Sequence, residues 1–162
     1  MAYLLDSNIF IQAKNLHYGF DFCPAFWDWI LQQNDSGNVF SIQKVHDELM
    51  AGADQLAQWA GARGPEFFLA PDDSIVPSLA TVSAWAGSGD YNPAAASQFL
   101  QVADYYLVAH AHAKQFVVVT HETPASSPKR IKIPNACLAL SVEVVTPYQM
   151  LRAERARFVL GP

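Results

Sequence analysis

The chain has 162 residues, 51% of them apolar and 15% charged, which excludes a disordered segment and fits one domain with a sizeable core. No stretch is long and apolar enough to span a membrane, and the start shows no basic, apolar and small-residue leader, so a soluble cytoplasmic protein without membrane contact is expected. The net charge of −5 excludes a protein that grips a phosphate backbone by bulk attraction alone; bound nucleic acid must meet local basic groups or cations.

Tyr3, Leu4 and Leu5 form an apolar run suited to a buried strand, and Asp6 ends it. Ser7 and Asn8 follow as caps of a helix carrying Ile9, Phe10 and Ile11. A carboxylate at the carboxyl end of a first strand stands where open α/β sheets collect ligands. Asp is also a favoured N-cap, so this stretch alone leaves both roles open for Asp6. His17 to Phe22 read as a loop, and Pro24 as the first turn of a second helix. Its Phe26, Trp27, Trp29 and Ile30 form an apolar face, which points to core packing before base stacking.

Val39–Ile42 is an extended segment, followed by a helix with Val45, Leu49 and Met50 on one side and Asp47 and Glu48 between them, ending at Ala51-Gly52. A short helix is predicted from Gln55 to Ala62, stopped by Gly64-Pro65. Asp72-Asp73-Ser74 cap a helix towards Trp85, with Pro77 in its first turn. After the Gly87–Asp90 loop, Pro93 begins the longest predicted helix, roughly Ala94 to Lys114. Phe99, Val102, Ala103, Tyr106, Leu107 and His110 share a broad face of it. Phe116–Thr120 is the clearest strand, continuous and β-branched. His121 to Pro124 leave it, and a polar loop leads into the basic run Lys129-Arg130-Ile131-Lys132-Ile133. A short helix from Pro134 to near Ser141, a strand Val142–Thr146 and a helix from Pro147 through Phe158 complete the chain. Strands separated by helices imply an α/β fold, residues 1–162 forming one domain around a central parallel sheet of about four to five strands with helices on both faces.

Four acids stand out. Asp6 and Glu122 each follow a strand closely and share one sheet edge; Glu48 and Asp104 lie in apolar helices, where charge is costly unless solvated, paired or bound to a cation. Converging carboxylates repel, and a hard divalent cation relieves this, with all-oxygen ligation favouring Mg²⁺ or Mn²⁺ over zinc. Such a site activates water for in-line attack on a phosphodiester. By residue type alone, the same acids also read as unrelated caps and surface charges. His110 and His112, two apart on a helix, point to different faces and do not read as a zinc pair. His121 reads as an exposed loop residue, and Cys23 and Cys137 as reduced thiols with no metal-binding spacing. Arg152, Arg155 and Arg157 suit the end of the last helix through its dipole.

Four segments in order, Tyr3–Ile11, Val45–Leu49, Ala103–Ala111 and Val117–Glu122, resemble the acidic motifs of PIN-domain (PilT N-terminus) nucleases. The long interval between Glu48 and Asp104, and residues 132–137, are similar to a side branch of PIN-like proteins. The resemblance implies a three-layer PIN-like fold and a ribonuclease dependent on Mg²⁺ or Mn²⁺, most often the toxin of a type II toxin–antitoxin pair. It implies Asp6, Glu48 and Asp104 as metal ligands, and Glu122, where the family commonly has Asp, as a second-site ligand. Asn8 and Thr120, or Ser7 in place of Asn8, then orient carboxylates or water. Lys129, Arg130 and Lys132, with Lys14, read either as contacts to RNA phosphates or as solvated charges. RNA, a cognate antitoxin protein and a second copy of the chain are the partners so implied. The alternative is a catalytically weak PIN-like interaction module, supported by the acidic charge, by Glu122 and by the many aromatics. A phosphatase-like hydrolase with Asp6 as nucleophile lacks a second Asp two residues on, because position 8 is Asn.

Overall fold

Tyr3, Leu4 and Leu5 are all buried and form β1 (Tyr3–Leu5), the middle strand of a five-stranded parallel sheet. The computed structural model describes residues 2–161. β1 is flanked by β2 (Val39–Ile42) and β4 (Val117–Val119), and outside these lie β3 (Phe68–Leu69) and β5 (Val144–Val145), in the order β3-β2-β1-β4-β5. The chain therefore builds outward on one side of β1, then returns and builds outward on the other. Strand order reverses between β1 and β4, the place where open α/β sheets form a crevice at their carboxyl ends.

All the strand pairs are parallel, so each connection crosses over the sheet and carries helices with it. Between β1 and β3 lie α1 (Ser7–Gln12), a π turn (Ala13–His17), α2 (Pro24–Asp35), α3 (Gln43–Ala51) and α4 (Gln55–Gly61). Phe10 of α1, Trp27 of α2 and Trp59 of α4 meet ring to ring, with Phe67 against Phe10 and Trp59. Phe26, Trp27 and Ile30 are buried, so the second helix's aromatics are core. Between β3 and β4 lie α5 (Val76–Ala86), α6 (Pro93–Leu100) and α7 (Ala103–Lys114), which pack on one another, and α7 also meets α8 (Ile133–Ala139). α9 (Pro147–Ala153) follows β5, opened by a Thr146–Gln149 capping box. The result is the three-layer, PIN-like α/β architecture expected from the sequence.

Three features differ from the expected elements. The single helix from Ala94 to Lys114 is two helices, interrupted at Gln101 and at Val102, whose backbone is extended. The C-terminal helix stops at Ala153 rather than Phe158, because Arg155 turns into the left-handed region at φ 54°. Of the three arginines assigned to its end, only Arg152 lies in its last turn. The two-residue β3 carries no pattern that marks it as a strand. Cys23 and Cys137 are both free. Among the described residues, no helix is long and apolar enough to cross a membrane.

Candidate active site

Parallel register pairs Leu5 with Val119, so the next residues, Asp6 and Thr120, stand side by side where β1 and β4 end. The Thr120 hydroxyl donates to Asp6 Oδ2 at 2.8 Å, and the Ser7 amide donates to Asp6 Oδ1 at 2.7 Å. Asp6 is thus the N-cap of α1 and a crevice carboxylate at once, with only 4% of its surface exposed. Asn8, in the first turn of α1, donates from Nδ2 to Thr120 Oγ1 at 3.3 Å and accepts from the His121 amide at 3.2 Å. Of the two candidates beside Asp6, Ser7 reaches it chiefly through its backbone, and Asn8 through Thr120.

Asp104 reaches the same place from the other layer. The break between α6 and α7 puts it in the first turn of α7, where the helix dipole favours a carboxylate. It is not set in the middle of an apolar helix as the sequence suggested. Glu122, two residues past Thr120, is fixed on its far side: the Ile133 amide donates to Oε2 at 3.1 Å, and Arg130 Nη2 lies 3.7 Å from Oε1. Glu48 is exposed on α3. It lines a groove of about 220 Å³ with Asp104, Val102 and Arg130.

These acids feel one another. Burial, then the Asp104 charge, pushes Asp6 up to about 7 against the two hydrogen bonds that favour its anion. Burial, then Glu122 and Glu48, pushes Asp104 up to about 6, with Arg130 acting in the opposite sense. Cys137 lies behind the cluster; burial, Asp6 and Glu122 push its thiol up to about 12, which keeps it protonated and unreactive. As the side chains stand, no group of three His, Cys, Asp or Glu among the described residues forms a ready-made metal cage.

The basic candidates separate. Arg130 borders the acids, with its side chain 62% exposed. Lys129 is exposed on the same loop, and Lys132 is half-buried at the N-cap of α8. Lys14 is tied to Asp54 at 2.7 Å. Lys44, which sequence patterning did not single out, holds its ammonium 4.8 Å from the centre of the Tyr106 ring; its place one turn before Glu48 on α3 was the available signal. His110 is buried, while His112 shares a hydrogen bond with Ser78 at 2.7 Å, so the two do not act together. His121 is half-buried and packs against His17 and Tyr148 instead of lying open in a loop.

Residues 3–158 match the family described as a domain of unknown function (DUF4411). The chain belongs to that family. No curated protein matches this DUF4411 chain in sequence. Among solved structures, the crystal structure of FitAcB from Neisseria gonorrhoeae is similar, with a TM-score of 0.55 and 19% sequence identity over 90% of the DUF4411 chain and 98% of the other. At that identity the likeness speaks to the fold.

Proposed function

We propose that this chain is a divalent-metal-dependent ribonuclease that hydrolyses RNA phosphodiester bonds, and that it is the toxin of a type II toxin–antitoxin pair. One observation carries the reading: Asp6 at the end of β1 lies near enough to Asp104 of α7 for that charge to raise its pKa, with Glu122 acting on both and Glu48 of α3 on Asp104, where strand order reverses. The four ordered segments that resemble PIN-domain nucleases, and the fold shared with FitAcB, support it. An all-carboxylate donor set fits Mg²⁺ or Mn²⁺. The raised Asp6 and Asp104 mark negative charge that the chain itself leaves uncompensated. Asp6, Glu48 and Asp104 would hold the cation, with Glu122 beside them. When bound, it supplies attraction for phosphate oxygens and a more acidic water for in-line attack.

The chain's own part is positioning. Thr120 and the Ser7 amide fix both oxygens of Asp6, and Asn8 fixes Thr120. Ile133 and Arg130 restrain Glu122, and the exposed Arg130 side chain would meet a neighbouring phosphate in this reading. The partners in this reading are an RNA substrate and an antitoxin protein that covers the crevice.

Calorimetric titration with Mn²⁺ tests it, comparing wild type with a folded Asp6→Asn/Asp104→Asn variant. Binding in wild type that disappears in the variant, together with loss of RNA cleavage, is the expected result. Cleavage that persists in the double variant would overturn the site. A wild type that neither binds Mn²⁺ nor cleaves RNA points to the other reading, an interaction module on the same fold.

A further inference from the structure

We propose that Lys44, seated on the ring of Tyr106, holds the RNA backbone at a phosphate next to the one at the acids, and that Tyr106 is the positioning residue for this contact. The proposal rests on the nuclease reading of the neighbouring carboxylates. Lys44 is the second residue of α3, and Tyr106 lies near the start of α7. These are the helices that carry Glu48 and Asp104, and they touch one another. The Lys44 ammonium stands 4.8 Å from the centre of the Tyr106 ring, within the range of a cation–π attraction. Tyr106 is half-buried, with its ring 5.2 Å from that of Tyr105. Tyr105 is itself anchored, donating its hydroxyl to the Leu79 carbonyl at 2.8 Å. The seat under the lysine is therefore held in place.

The charge of this lysine is left uncompensated. Glu48 lies four residues on along the same helix, a spacing at which Lys–Glu pairs form. Among the described residues, however, the acids that pair with lysine or arginine are Asp54 with Lys14, Asp72 with Lys114 and Glu122 with Arg130, and none pairs with Lys44. An ion pair would neutralise Lys44 and Glu48 together. The tyrosine ring restrains the ammonium without neutralising it and leaves N–H donors for another acceptor. Lys44 is exposed, so a ligand can reach those donors. Four helical residues span about 6 Å, which sets Lys44 along the backbone from a phosphate at Glu48 and Asp104 instead of on it. A chain with a net charge of −5 needs such local cations to hold a polyanion, and a compact ammonium binds phosphate as a point charge.

The test is fluorescence anisotropy with a labelled RNA oligonucleotide of random sequence, on an Asp104→Asn background in metal-free buffer, where the nuclease reading allows no cleavage. KCl is raised from low concentration. Each phosphate contact to a single strand adds about 0.7 to the slope of log affinity against log salt. Lys44→Met should lower that slope by about 0.7 and weaken binding about fivefold at about 0.1 M salt, and Lys44→Arg should restore both. Tyr106→Leu should weaken binding, and Tyr106→Phe, which keeps a ring face, should restore it. In cleavage assays with Asp104 intact and Mg²⁺ present, Lys44→Met should raise KM more than it lowers kcat. A lysine that only ties α3 to α7 gives a different pattern: Lys44→Met lowers Tm and leaves slope and KM unchanged. That result overturns the proposal, as does a parent protein that binds no RNA. Should Lys44→Met fail to fold, Lys44→Gln reads the same slope. The two readings fail separately. RNA binding with the Lys44 contribution to the slope but no cleavage removes the nuclease and keeps the contact; cleavage with slope and KM unchanged in Lys44→Met does the reverse.

Discussion

Asp6 accepts hydrogen bonds from the Ser7 amide and the Thr120 hydroxyl, and both favour its charged form. Burial and the nearby Asp104 oppose them and win, since the carboxyl is pushed up to about 7. A carboxylate in this condition costs the fold stability whenever it is charged. Replacing it with Asn keeps an acceptor for Ser7 and removes the buried charge. In metal-free buffer at pH 8, Asp6→Asn should therefore be more stable than wild type by on the order of 1–2 kcal/mol, read from urea unfolding, while losing cleavage. Equal or lower stability would show that the charge is compensated in some other way. His110 presents the opposite case. It is 1% exposed, and neither ring nitrogen has a hydrogen-bond partner. Burial, then Lys114, pushes it down to about 4. The unfolded chain takes up a proton below the ordinary value of 6.5, and the folded chain resists until about 4, so this residue removes stability as pH falls through that window. His110→Leu fills similar space without unpaired polar atoms. It should raise Tm at pH 5 by more than at pH 8; an equal change at both values would contradict the buried neutral histidine.

At the scale of elements, the helix ends show what could be read in the sequence and what could not. Ala53, Gln115, Ser141 and Arg155 all adopt positive φ, and they follow α3, α7, α8 and α9. That conformation is usually given to Gly. The closing backbone bonds form nonetheless, from Phe116 to Ala111 at 3.1 Å, Val142 to Cys137 at 2.8 Å and Ala156 to Leu151 at 2.9 Å. Because Arg155 carries no stop signal, the last helix read as continuing to Phe158. The same holds at Gln101-Val102, where neither Gly nor Pro marks the break that lifts Asp104 into a first turn. The strands at 3–5, 39–42 and 117–119 were legible because continuous apolar, β-branched or aromatic runs have few other uses. β3 was not, since two residues hold no periodicity. Asp6, Asp104 and Glu122 stood out as acids beside apolar runs, whereas His17 and Tyr148 lie 131 residues apart and meet only through the sheet. The left-handed caps yield a direct test. Ser141 is exposed at φ 57°, where a side chain is strained by roughly 1 kcal/mol. Ser141→Gly should therefore stabilise the fold by somewhat less than that amount, after the added unfolded-state entropy, and so raise the urea midpoint. A downward shift would mean that the serine makes a compensating contact.

On the scale of the whole molecule, the sheet's reversal of order gathers acids in a chain that already carries a net charge of −5. Asp6 and Asp104 are pushed up to about 7 and about 6 from an ordinary 3.8. Between those values the folded chain keeps protons that the unfolded chain has lost. The metal-free protein should thus lose stability as pH rises through that window and level off above about 7. His110 acts in the other direction up to 6.5, so the loss should be clearest between about pH 6.5 and 7.5. A divalent cation must displace these same protons in order to bind, so its stabilising effect should grow with pH. At a concentration about 100-fold above its Kd it adds about 2.7 kcal/mol, which for a domain of this size is roughly 5–10 °C in Tm. Thermal unfolding with and without Mn²⁺ should therefore show a small shift at pH 5 and the full shift at pH 8. Asp6→Asn/Asp104→Asn should show neither. Equal shifts at both pH values, or a shift retained in the double variant, would place the cation away from the strand-order reversal and separate metal binding from the carboxylates.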